Sequence, residues 1–398
     1  MATAARGHSR RKALRQRGKK VSPGIDEEFW KELVLQIRSS RLIPIISNSV
    51  RNDYILDSNF DGDVDNIQVP GAAQLTVEEE LATDWAEEIG YPLPDNFKLA
   101  RVAQFNRVVK SLSDEYAKSK YLNFLKEMLL QIASNDETVL PIIESEKMWD
   151  RIEDLSFSHI AHELGYPKFN DVKQDSLRTL AKLPLPIYVT TSYYSFLERV
   201  LQGEGKLPQI QVCFCSDELP ANLKEEHKPN PNLEPTVERP LVFHLFGVED
   251  YPKSLVLSED DYFDFLVEFS KQLSDVKSSN QPPESRIIPP YLQGRLARSP
   301  LLLLGYRPQD WDFRVLFRGI IISAQETVRR DFGVAIQFDP EEQEDIEDAE
   351  NAQAYLEKYF GKADFKVRWG NTDSFIKELW RAWHGQKKGG KVSHEVAE

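Results

Sequence analysis

The stretch PLPIYVTT, from Pro184 to Thr191, decides the fold. It is a short apolar run with β-branched and aromatic residues, bounded by prolines and closed by two hydroxyls. That is too short for a free-standing helix and reads as a buried strand. A helical pattern through Phe196 and Leu201 follows, and then IQVCFC (Ile210–Cys215). PLVFHLFG, SPLLLLGY, GVAIQF (Gly333–Phe338) and FKVRW repeat the theme downstream, and LIPII (Leu42–Ile46) precedes it. Short apolar runs alternating with helical segments imply an α/β fold, a Rossmann-like, doubly wound and mainly parallel sheet.

The helices carry their own signals. One spans about Asp26 to Arg38 and feeds LIPII. From Thr76 to about Gly165 the pattern is almost wholly helical, with Leu81, Trp85, Ile89, Leu99, Val102 and Ala103 at helical spacing. This predicts a helical module, about 76–175, inserted into the sheet domain. Ser258 and Asp261 stand three apart in a capping box, and Asp310 is placed to cap the helix after SPLLLLGY. That helix turns Phe313, Leu316, Phe317, Ile320 and Ile321 inward and Arg314 and Arg318 outward. Asp339 and Pro340 mark another helix entry. The domain is expected over 25–385, between a basic tail (1–24) and a polar, Gly- and Lys-rich tail (386–398), both disordered.

Composition narrows the function. The 398 residues are 41% hydrophobic and 29% charged, enough for a sizeable core. A secretory leader and an 18-residue apolar span are both missing, which predicts a cytoplasmic protein with no membrane partner. The two cysteines, Cys213 and Cys215, are too few for a disulfide framework and suit a reducing compartment. The net charge is −14, yet residues 1–20 hold eight Lys/Arg and no acid. The remainder, at about −22, is a poor surface for phosphodiester backbones, so nucleic acid is expected at most at the N-terminal tail.

In a doubly wound sheet, ligands bind beyond the carboxyl ends of the strands. Four such ends carry small or polar residues: Ser47, Asn48 and Ser49; Thr191 and Ser192; Phe246 and Gly247; Gly305 and Tyr306. Together they predict a nucleotide-sized crevice, where backbone amides approach a phosphate or ribose. Asn48 offers an amide to ribose or a carboxamide, or is simply a turn residue. Ser192 orients a water or a ribose hydroxyl, or caps the next helix. His244 lies two residues before Phe246. On a continuous strand it would face the same way, about 6–7 Å deeper. It is either a group assisting ribose chemistry or a hydrogen-bonded core histidine.

The segments PIYVTTSYYSFLERVL, PLVFHLFGVEDYPKSLVLSEDDYFDFL and LLLLGYRPQDWDFRVLFRGI, in that order, resemble the bacterial sirtuin-like domain family. The resemblance runs from about Phe29 to Trp383. It implies an NAD pocket with a helical insertion, in proteins that often serve in antiphage defence and in multidomain signalling; for this chain a homo-oligomer or a defence-system partner protein is the expected partner. Active members hydrolyse NAD to nicotinamide and ADP-ribose. It also places Gly305 and Tyr306 near the adenine-ribose side, with Asp312 holding their loop.

The departures from the family pattern fall in the pocket. Relatives carry Gly-Ala-Gly where this chain has Ile46, Ser47 and Asn48. They carry Asn at Ser192, Asp at Tyr194 and His at Phe246. Protein-deacylating sirtuins also hold a zinc module on paired CxxC motifs, for which one CxC is insufficient. His159 and His162 have no third ligand evident, so no metal is expected. Two functions follow as expectations. One is an NAD glycohydrolase in bacterial defence, with Ser192, His244 and Asn48 as its working residues. The other is an inactive sensor or scaffold that binds NAD or an ADP-ribose derivative.

Overall fold

The structure is a computed structural model that describes residues 23–50, 77–166, 175–215, 219–228, 230, 232–275, 288–308, 310–322, 333–337, 346 and 348–389. The seven apolar runs form seven strands: β1 (Ile43–Ile46), β2 (Ile187–Thr190), β3 (Gln209–Val212), β4 (Leu241–His244), β5 (Leu301–Leu304), β6 (Gly333–Gln337) and β7 (Phe365–Trp369). They pair in the order β3-β4-β2-β1-β5-β6-β7, every pair parallel. The strands are short, and the central ones are largely apolar because both faces of the sheet are covered there.

Alternation within a strand assigns each side chain to one of two cores. Ile43, Ile45, Val189, Phe243, Leu301 and Leu303 enter one. Ile46, Tyr188, Val242, Leu302 and Leu304 enter the other. Helix α1 (Pro23–Arg38) begins the second layer with Leu33, Val34 and Ile37. Between β1 and β2 come α2 (Val77–Ile89), α3 (Leu99–Val109), α4 (Asp114–Ala133), α5 (Leu140–Ser145), α6 (Phe157–Glu163) and α7 (Ser176–Lys182). Their apolar faces meet around Trp85, Tyr121, Leu125 and Phe157, in the same core. Helix α8 (Phe196–Gly203) follows β2 into this layer.

On the opposite face, α9 (Glu259–Asp275) and α10 (Pro290–Arg298) bury Phe265, Phe269, Leu292 and Leu296. There too lies α11 (Trp311–Val315), which widens into a π-helical turn over Leu316–Ile322 and buries Phe313, Leu316 and Phe317. Arg314 and Arg318 are exposed, as expected. Helix α12 (Ala349–Gly361) completes that layer with Phe360, and α13 (Thr372–Gly389) returns to the side of α1. The expected helix entry at Asp339–Pro340 lies outside the described residues. At the C-terminus α13 runs four residues past the expected boundary at 385, through Gln386, Lys387 and Lys388, which are good helix formers, and ends on Gly389.

The capping box before α9 forms as read: the Asp261 amide donates to Ser258 Oγ (3.3 Å), and Asp261 Oδ2 accepts from the Ser258 amide (2.7 Å). Asp310 departs from expectation. It occupies the N-cap of α11, but its side chain makes no capping bond there. Its carboxylate instead accepts from the Arg307 amide (3.2 Å), closing the turn before the helix.

The helical module is tied to α9 by charge. Lys118 is almost fully buried between Asp114 (2.7 Å) and Asp261 (3.0 Å). Arg107 reaches Asp260 (2.6 Å) and Arg101 reaches Glu259 (3.1 Å). The exposed members of this set contribute little each, but the buried lysine needs both carboxylates to offset its desolvation.

A second buried charge lies just past β4. The Glu249 carboxylate accepts from the Ser158 amide at the start of α6 (3.2 and 3.3 Å). Burial lifts its pKa from 4.5 to about 7, against that hydrogen bond. A carboxyl whose folded pKa is raised binds protons more tightly in the native state. Its stabilising contribution is therefore present below pH 4.5 and is lost as pH rises to about 7. The expected loss is about 3 kcal/mol, at 1.36 kcal/mol per unit. Urea unfolding at pH 5 and pH 8 should show this slope in the wild type, and Glu249→Gln should flatten it.

Candidate functional site

The β1–β2 crossover runs to one side and the chain later returns to place β5 on the other, so β1 is the switch point of the sheet. Such a point leaves a crevice at the carboxyl edge. A cavity of about 310 Å³ opens there. All four predicted strand ends contribute: Ser47, Asn48 and Ser49 after β1, Thr191 after β2, Phe246 after β4, and Gly305 with Asp312 after β5. The volume is at the lower end of the range for small-molecule sites.

The β1 turn is held rather than open. Ser47 Oγ and Ser49 Oγ both donate to the Gly305 carbonyl, at 2.7 and 2.6 Å. Gly305 adopts φ +78°, and an added Cβ would stand 2.5 Å from Ser47 Oγ and 2.6 Å from Val50 Cγ2. The two serines therefore brace the β5 turn, and their hydroxyl protons are directed to it. Ile46 is buried in the core and not part of the cavity wall.

Beyond Gly305, Tyr306 turns inward, its hydroxyl 3.0 Å from Thr191 Oγ1. Thr191 Oγ1 also donates to Asp312 Oδ2 (3.3 Å), and the Phe313 amide donates to Asp312 Oδ1 (2.6 Å). Burial at the back of the cavity raises the Asp312 pKa well above the ordinary carboxyl value, helped by Asp310 and Glu78 nearby. Asp312 thus combines the expected loop-holding role with an oxygen on the cavity wall. Tyr262 and Trp311 stack at 5.9 Å with their planes 17° apart, an aromatic wall wide enough for a base.

The helical module supplies a wall that sequence reasoning missed. Phe97, Lys98 and Arg101 close the cavity from the start of α3, with Glu78 and Glu79 from α2. Glu259 of α9 and Arg307 and Arg314 around α11 complete the rim. No local motif marks these residues. Only the docking of α3 on α9 brings them together.

Of the three residues expected to do chemistry, Asn48 is on the cavity wall, whereas Ser192 and His244 are not. His244 was expected to share a face with Phe246, which requires the strand to continue through both. Strand β4 ends at His244, and Gly247 turns the chain with φ +85°. Alternation then breaks. His244 follows Val242 into the layer of α8, whereas Phe246 swings into the other core and the cavity. His244 is completely buried, with Nε2 against the Glu198 carboxylate of α8 and Nδ1 2.9 Å from the Ser192 carbonyl. Burial alone would lower its pKa, but Glu198 and the Ser192 carbonyl raise it overall. It is a hydrogen-bonded core histidine. Ser192 is half-buried outside the wall; its hydroxyl donates to Asn48 Oδ1 (3.0 Å) and reaches the cavity only through that residue. Gly247 is likewise behind the wall, where its backbone passes Ser254.

Tyr194, at the position where the resemblance implies an aspartate, is buried against Phe157 and Phe196 (4.7 and 5.4 Å between ring centroids). The Glu198 partner of His244 was also missed. A fully buried glutamate on an amphipathic helix has no signature in spacing.

The site therefore defines a doubly wound α/β protein with one polar crevice at its switch point, the geometry of nucleotide-binding sheets. The family model of the SIR2-like domain matches residues 186–362, from β2 through α12. That match supports a sirtuin-like, NAD-related chain. It spans three of the four strand ends and leaves out Ser47–Ser49 and the helical module. A search of the curated proteins gives no match. Among the described residues no helix is long and apolar enough to cross a membrane.

Proposed function

We propose that the crevice binds a nucleotide of the ADP-ribose class, NAD or its ADP-ribose moiety, and holds it without cleaving the nicotinamide–ribose bond. One observation carries this reading. The four strand ends converge on a single cavity, while Ser192 and His244, two of the three polar groups expected to act on ribose, lie outside it and leave Asn48 alone on the wall. Cleavage through an oxocarbenium-like sugar needs a polar group positioning water at the reacting carbon. Phe246 occupies the cavity wall at the corresponding strand end and has nothing to offer such a step.

The remaining features suit retention. Asp312 accepts a ribose hydroxyl, as acidic residues do in dinucleotide folds. Tyr262 and Trp311 offer a face for the adenine. Arg307, Arg314 and Lys98 place positive charge where a diphosphate would lie. The protein then acts as a sensor or scaffold whose ligand state is read by a partner or by a second copy.

Purified full-length chain, melted with and without NAD and with ADP-ribose, tests this. Ligand at a hundred times its Kd should stabilise the fold by about 2.7 kcal/mol. Nicotinamide should not accumulate in the same samples. Release of nicotinamide by the wild type would establish a glycohydrolase instead, and no stabilisation by either ligand would overturn nucleotide binding.

A further inference from the structure

Behind the cavity wall runs a chain of hydrogen bonds whose directions are fixed by chemistry. The Ser192 carbonyl can only accept, so the His244 nitrogen facing it, Nδ1, carries a proton. The other nitrogen faces Glu198, and that contact holds a further proton between ring and carboxyl. Glu249 and His227 are the other titratable groups whose charges act on this imidazole. The Ser192 amide donates to Thr190 Oγ1 (2.9 Å), and Thr190 Oγ1 donates to the Ile46 carbonyl (3.0 Å). The peptide of Ser192 is therefore anchored from both sides.

Its side chain is directed too. Ser192 Oγ accepts from the Tyr194 amide (3.3 Å), which leaves its single proton for Asn48 Oδ1 (3.0 Å). An amide whose oxygen is engaged behind the wall must turn its NH₂ the other way. The Asn48 side chain acts on the Tyr193 phenol, lowering its pKa against the burial that raises it. Asn48 is part of the cavity wall and only 9% exposed, so the NH₂ end of its amide is the end a ligand meets.

We propose that Asn48 is the specificity-determining donor of this site, its amide oriented by Ser192 so that a ligand must present an acceptor oxygen at the β1 turn. The inference rests on the nucleotide-binding reading and deepens it: a phosphoryl or ribosyl oxygen of the ADP-ribose moiety meets the requirement. Asn48 recognises the ligand, and Ser192, held by His244, is a positioning residue.

Calorimetric titration of the full chain with ADP-ribose separates the possibilities. Asn48→Asp keeps the shape and the Ser192 bond but turns an anionic oxygen into the cavity. It should weaken binding about 30-fold, the worth of one charge-sensitive hydrogen bond. Ser192→Ala frees the amide to flip and should cost about fivefold, whereas Ser192→Thr keeps the hydroxyl and should restore wild-type affinity to within about twofold. Equal affinity for wild type and Asn48→Asp would overturn this inference and leave nucleotide binding standing. Equal affinity for Ser192→Ala and wild type would remove the positioning role. Absence of binding by the wild type, with ADP-ribose and with NAD, would overturn both readings together.

Discussion

His244→Leu is expected to destabilise the fold by about 3–5 kcal/mol, because it strands a buried carboxylate. Glu198 is 3% exposed and His244 fully buried, and among the described residues Glu198 Oε2 already has no hydrogen-bond partner. Removing the imidazole leaves the other oxygen equally bare. The pair itself should be worth much less than that loss, since two charges withdrawn from water regain little more than their desolvation. Replacing both residues, His244→Leu with Glu198→Leu, is therefore expected to recover most of the stability in a double-mutant cycle of urea denaturation. A double variant as unstable as the single one would show that packing, not stranded charge, sets the cost. The pH dependence has a fixed sign. The His244 pKa is raised on folding from 6.5, so its contribution is complete below pH 6.5 and fades as pH rises through the higher folded value. The double variant should lack this alkaline decline.

Gly247→Ala is expected to be as damaging, at about 3–5 kcal/mol, for a steric reason. The residue has φ +85°, a region that costs an L side chain about 1–2 kcal/mol by itself. A Cβ there would also overlap the Ser254 backbone carbonyl, and backbone cannot rotate aside as a side-chain end can. Ser254 is itself pinned, its hydroxyl donating to the Tyr251 carbonyl (2.6 Å) and accepting from the Val248 amide (3.0 Å). Gly294, inside α10 with nothing among the described residues within 4 Å of an added Cβ, provides the contrast. Gly294→Ala should be neutral or stabilise by up to about 1 kcal/mol. Thermal denaturation of the two variants, side by side, checks both; a mild Gly247→Ala would mean that the β4 turn yields.

These two positions also show where sequence suffices and where it fails. The central strands were legible because each is a short, doubly buried run: PIYVT became β2 and LLLL became β5, while the half-exposed FKVRW became the edge strand β7. Their carboxyl ends followed from topology, which is why Ser47, Asn48, Ser49, Thr191, Phe246, Gly305 and Asp312 all reached one cavity. The face of His244 was not legible. A period of two holds only while the strand lasts, and nothing in HLFG shows that the strand stops at the histidine rather than at the phenylalanine. The resemblance to the sirtuin-like family did not help there, because it aligned Phe246 with a working histidine and drew His244 toward the same chemistry. Nor could spacing reveal Phe97, Lys98 or Arg101, which reach the cavity through the packing of helices far apart in sequence.

The central position of β1 has a consequence for how the chain comes to be folded. One neighbour of this strand lies 144 residues downstream, and the turn that meets its far side lies 258 residues on. On a ribosome adding about 5–20 residues per second, IPII waits seconds with both edges unpaired. The intervening helices can collapse on local contacts meanwhile, but the sheet cannot nucleate at its centre until β2 arrives. Completion then depends on β5, so the crevice is among the last features to form. An N-terminal fragment ending before Leu301 would expose a naked β1 edge and is a natural substrate for chaperones or proteases. Occupancy of the crevice by nucleotide would accordingly report that synthesis has run at least to the fifth strand.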